Sequence, residues 1–279
     1  MIAAAICEED VVAAGFLRDT GPVRQVPRSE PRPMPRWKRT LLLLRLTVRF
    51  PKEYIPLLLG KLGLERNGLY QRLRKKEQSM MDEVLRTCGE AYRTPLLRSF
   101  RRFPTFREAA EQVGAPYHEV ANINSDESAA LLKSLAPDVI VSMGDRIMKP
   151  HTLAIPRLGV LNGHSSLLPG YRGTGAEFWQ LLHREKETGV TIHWMAQRVD
   201  EGDILVQERW PIHAGANHWQ LRRVSQFLRV QPWRNAIRMV LAGRGGTPQV
   251  RGDQPTFGQP HLPDLYDYYI RRQVGNSRG

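Results

Sequence analysis

Between residues 105 and 211 the chain alternates helix and strand signals, and this alternation limits the fold more than any other feature. Thr105 with Glu108 three residues on is a capping-box start for a helix over 105–113. Residues 117–120 read as a short strand, and Ser125 opens a second helix over 125–135. The β-branched run 138–143 (DVIVSM) suits a strand buried on both faces of a parallel sheet. A further strand over 159–161 ends at Asn162, and residues 174–183 read as a helix. Residues 190–195 and 204–211 read as two strands joined by a short loop that holds Asp200 and Asp203. Alternating elements of this kind predict an α/β fold with a mostly parallel sheet. Ligands in such sheets bind beyond the carboxyl ends of the strands. Asn162, His164 and Asp200 all fall at such ends, so their side chains are expected to converge on one crevice.

The run GVLNGHSSLLPGYRG over 159–173 carries the densest set of polar and turn residues. An Asn followed two residues later by His is, taken alone, ordinary turn chemistry. The combination is more specific. Asn162 and His164 precede Ser166, Leu167, Leu168 and Pro169, then Tyr171-Arg172-Gly173, and finally Asp200 to Asp203 in VDEGDI. The intervening EKETGVTIHWM completes a constellation in which each piece stands in order. This pattern resembles the folate-dependent formyltransferase family over residues 103–212, including its methionyl-tRNA, glycinamide ribonucleotide and sugar N-formyltransferases.

The resemblance implies a Rossmann-like formyltransferase fold, 10-formyltetrahydrofolate as formyl donor, no metal, and a primary amine as acceptor. Formyl transfer passes through a tetrahedral intermediate whose oxygen becomes negative. An amide N–H and an imidazolium can stabilise it, and a histidine beside a carboxylate can move the protons. Asn162, His164 and Asp200 take these catalytic roles by resemblance. Ser166, Leu167, Leu168 and Pro169 carry over as folate contacts. So do Met143, Gly144 and Ile147 after the strand at 138–143, and Asp203 in the later loop. Tyr171 and Arg172 either bind substrate or fix their own loop. His193, in TIHWM, reads as a core or supporting histidine, and Trp194, Trp210 and Trp219 read as packing residues. His183, His213 and His218 show no metal-ligand spacing.

The remaining sequence differs in character. The formal net charge is +13, with the basic excess in residues 31–110 and 211–279 and a slightly acidic stretch at 111–210. A basic surface favours an anionic partner without choosing among nucleotide, nucleic acid and membrane. Charge is the only argument for nucleic acid, because no recognised motif accompanies it. Four segments are expected: a partial N-terminal strand and linker (1–36), a helical basic insertion (37–102), the catalytic core (103–212) and a basic extension (213–279). Residues 2–7 read as a short buried strand. The family's opening strand and Gly-rich phosphate turn have no counterpart, so the chain is expected to begin near the family's second strand, with Gly15 and Gly21 as poor replacements.

Within the insertion, TLLLLRLTVRF is either a core helix with snorkelling arginines or a basic amphipathic helix on an anionic bilayer. Its charges and Pro51 exclude a membrane span. The start lacks basic residues before its apolar run, unlike a secretory signal. Cys7 and Cys88 are far apart, as in a reduced cytoplasmic protein. Among the acceptors that the resemblance implies, a small, anionic amine such as a nucleotide-linked amino sugar is favoured. Methionyl-tRNA and glycinamide ribonucleotide are the alternatives within formyl transfer. Hydrolysis of formyltetrahydrofolate and non-catalytic binding of a membrane or an anion are the alternatives outside it.

Overall fold

The computed structural model describes residues 15–21, 35–49, 106–143, 146–212, 216–250, 255–261, 263–265 and 267–268. The strand expected at 2–7, both cysteines, Gly144 and most of the basic insertion lie outside these residues. The first described strand, β1 (Phe16–Asp19), runs parallel to β2 (Tyr117–Val120). Helix α1 (Arg36–Arg49) belongs to the basic insertion. Helix α2 (Phe106–Gln112) precedes β2, and α3 (Asp126–Leu135) follows it. Ser125 caps α3, its side chain accepting from the Ser128 backbone N–H at 3.2 Å.

A second sheet has the order β3-β4-β5-β6. It contains β3 (Val139–Ser142), β4 (Gly159–His164), β5 (Glu187–Trp194) and β6 (Ile204–Pro211). Short helices α4 (Pro150–Leu153) and α5 (Ala176–Leu182) lie in the connections. The α/β class follows the sequence expectation. The pairings β1–β2 and β3–β4 are parallel, whereas β4–β5 and β5–β6 are antiparallel. The short 195–203 connection cannot make a crossover, so β6 folds back on β5 as a hairpin.

Two helices close the sheet: α6 (His218–Leu228) and α7 (Val230–Leu241). They lie in the segment expected only as a basic extension, yet they supply Val224, Leu228, Trp233 and Ile237 to the main core. Trp233 is fully buried against Gly163 of β4, where an added Cβ would stand 2.9 Å from its ring. Trp210 is buried in the same cluster and Trp194 packs against it, as packing residues should. The apolar faces of β4 and β5 therefore need α7 to leave water.

Candidate active site

Asn162 and His164 are the fourth and last residues of β4, so both sit within the strand's end, where side chains of equal parity share one face. His193 on β5 pairs with Asn162 across the antiparallel ladder, which puts a second imidazole beside them. Asp200 comes from the β5–β6 connection and completes the group. Its Oδ1 lies 3.4 Å from Asn162 Nδ2 and 3.5 Å from His193 Nε2. Its Oδ2 lies 3.4 Å from His164 Nδ1 and accepts the Gly173 backbone N–H at 2.7 Å.

These side chains are nearly dry: His193 is 1% exposed, His164 7% and Asp200 9%. Burial alone would raise the Asp200 pKa. The charge of His164, the hydrogen bond and charge of His193, and the Gly173 N–H outweigh it, holding the carboxyl well below the usual range. Asp200 is thus a fixed anion at the floor of the site. His164 faces Asp200 with Nδ1 and the Tyr171 carbonyl with Nε2, at 2.8 Å. Both are acceptor-only oxygens, so either ring nitrogen can donate to the one it faces. His193 Nδ1 lies 2.9 Å from the Trp194 carbonyl, and its Nε2 lies 3.4 Å from Asn162 Nδ2 and 3.5 Å from Asp200 Oδ1.

The group opens into a cleft of about 240 Å³. Asn162, His164, His193 and Asp200 form one wall, with Met143, Arg146 and Ile147 from the β3 loop. Arg222, Gln226 and Arg229 reach the cleft from α6 and its end, and Glu177 from α5. Arg229 Nη2 donates to Ser165 Oγ at 2.5 Å. Glu177 is buried on the cleft wall. No sequence motif pointed to Glu177, Arg222, Gln226 or Arg229.

The other residues expected in the site lie elsewhere. Ser166, Leu167, Leu168, Pro169, Tyr171, Arg172 and Asp203 are off the cleft wall. Ser166 is fully buried and donates to the Gly170 carbonyl at 2.7 Å. Leu168 is bonded into the sheet through Thr191 and Gln207. Asp203 is exposed, its carbonyl accepting from Trp194 N at 3.0 Å. Tyr171 and Arg172 fix their loop. The Tyr171 phenol donates to Glu185 at 2.6 Å, and burial together with Glu185 raises its pKa, so it stays a neutral donor. The buried Arg172 guanidinium sits 3.6 Å from Glu201, next to Asp200. Among the described residues no cluster of His, Cys, Asp and Glu could hold a metal ion.

The family model described as formyl transferase matches residues 94–231, which contain all of this wall. Over residues 94–231 the chain is similar to the formyl transferase family. Curated relatives include the methionyl-tRNA formyltransferase of Pelotomaculum thermopropionicum, 36% identical over 56% of this chain and 50% of that protein. The methionyl-tRNA formyltransferase of Chlorobium chlorochromatii is 39% identical over 41% of this chain and 37% of that protein. The chain thus spans about half the length, or less, of these formyltransferases. Among solved structures it is similar to a glycinamide ribonucleotide transformylase from Symbiobacterium toebii. There the TM-score is 0.47, at 26% identity over 54% of this chain and 77% of that one.

Proposed function

We propose that the chain transfers a formyl group from 10-formyltetrahydrofolate to a primary amine of an anionic acceptor, through Asn162, His164 and Asp200. The observation that carries this reading is the Asn162–His164–Asp200 group on the wall of a cleft, with His164 and Asp200 nearly dry, within the formyl transferase segment. Asn162 offers its amide Nδ2, which lies 3.4 Å from both Asp200 Oδ1 and His193 Nε2, as the oxyanion donor. His164 passes a proton to the departing folate nitrogen and takes one from the attacking amine nitrogen, so the ring is unchanged over the turnover. Its use requires the bond to the Tyr171 carbonyl to open. Asp200 orients the His164 ring, its Oδ2 lying 3.4 Å from Nδ1. Arg222 and Arg229 on the cleft wall suit an acceptor that carries phosphate or carboxylate. The folate is assigned to the Met143 and Ile147 side of the cleft.

A nucleotide-linked amino sugar is the preferred acceptor. Methionyl-tRNA is the second reading, favoured by the names of relatives at 36–39% identity. The test is calorimetry with a non-transferable 10-formylfolate analogue, then formyl transfer to a dTDP-linked amino sugar and to methionyl-tRNA. Analogue binding and product with either acceptor are expected. A folded chain that binds no analogue would sink the reading. Loss of the formyl group without any amine would convert it to hydrolysis.

A further inference from the structure

Helix α1 leaves apolar side chains in water along a single line. Trp37 is 63% exposed, Leu41 45%, Leu44 65% and Val48 76%. Their spacing of four, three and four residues places them within about 60° of arc at 100° per residue, so they form one stripe. The stripe runs the length of a helix of 14 residues, roughly 20 Å at 1.5 Å per residue. The same 14 residues contain Arg36, Lys38, Arg39, Arg45 and Arg49 and no acidic residue. Lys38 and Arg45 are exposed, and they fall at neighbouring angles on the flank of the stripe. The Lys38 ammonium lies 5.4 Å from the Trp37 ring centroid, which leaves the ring with a wet edge and a dry face.

We infer that α1 docks on an anionic lipid surface, with Trp37, Leu41, Leu44 and Val48 entering the acyl boundary and the basic residues meeting the headgroups. Two properties select a bilayer over another polyanion. The helix has low mean hydropathy and gathers four exposed apolar side chains on one side, a combination suited to an interface plane. Nucleic acid would use the arginines but give the four apolar side chains nothing to bury them. The helix rests on the surface and does not cross it, since no described helix is long and apolar enough to span a membrane. This inference is independent of the proposed reaction, because none of the four side chains lines the cleft.

The test is flotation of the full chain with vesicles. One set contains phosphatidylcholine and phosphatidylglycerol in equal parts, and the other contains phosphatidylcholine alone. The chain is expected to float with the anionic vesicles and release in high salt. Leu44→Glu should lower its vesicle-bound fraction roughly tenfold by removing apolar burial and adding repulsion. Val48→Glu repeats the test in case the first variant folds poorly. Affinity for the folate analogue, if the wild type shows any, should not change in either. No flotation at low salt would overturn the inference, as would flotation that both variants retain. Binding to a duplex RNA that matches or exceeds vesicle binding and ignores both substitutions would assign the helix to nucleic acid instead.

Discussion

Asp200 adopts a left-handed backbone conformation, φ 54°, which few side chains tolerate. The Gly173 N–H and the Gln249 amide, which donates to the Asp200 carbonyl at 2.9 Å, hold it there. Such a residue is over-determined by its surroundings, as expected of a group whose position matters more than its stability. Within the proposed reaction the most informative change at this scale is Asn162→Ala. It removes the proposed oxyanion donor. A fall in kcat of about 100- to 1,000-fold is expected, with the analogue Kd nearly unchanged. Single-turnover assays beside calorimetry separate the two quantities. An alanine variant that turns over normally would remove Asn162 from the chemistry. The three motif residues were legible in the sequence because their order and spacing form a constellation. Glu177, Arg222 and Arg229 were not, because they reach the cleft through the packing of α5 and α6, which no local spacing encodes.

At the scale of elements, the β5–β6 hairpin decides where Asp200 stands. A Cβ at Gly202 would overlap the Trp194 carbonyl, so only glycine lets the connection close while Trp194 N donates to Asp203. Gly202→Ala is expected to cost about 1–3 kcal/mol by forcing the loop off the strand. It should also weaken analogue binding, because Asp200 moves with that loop. Urea denaturation with calorimetry checks both, and a variant with unchanged stability would show that the loop has another way to close. Gln249 anchors the same loop from outside the hairpin, through the Gly202 carbonyl at 2.7 Å. Gln249→Ala is therefore expected to lower stability by about 1 kcal/mol, the net worth of such bonds. Most elements from α2 to β6 could be placed from caps and β-branched runs. The helices α6 and α7 could not, although Leu221, Val224 and Leu228 recur at helical spacing. The arginines between them drew the reading towards a solvated tail. What makes them core helices is the open face of β4 and β5, a demand that appears only once the sheet is built.

Across the molecule, the charge arrangement sets how stability responds to acid. Asp200 is the described carboxylate whose pKa is clearly depressed on folding, and it is tied to β4, β5 and the Gly173 loop at once. A carboxyl with a lowered folded pKa contributes stability that is complete above its unfolded value, near 3.9, and is lost as pH falls towards the folded one. Asp200→Asn keeps the shape and removes the charge, leaving the hydrogens of His164 and Gly173 facing a neutral amide. At pH 7 the wild type is expected to exceed the variant by about 1.5–3 kcal/mol, the range for hydrogen bonds to charged groups. The gap should persist down to about pH 4 and narrow below it. Urea denaturation of both proteins across that range measures it. A gap that closes near pH 6 would instead place the decisive titration on the histidines, and a variant as stable as the wild type at pH 7 would mean that burying the Asp200 charge cancels what its partners return.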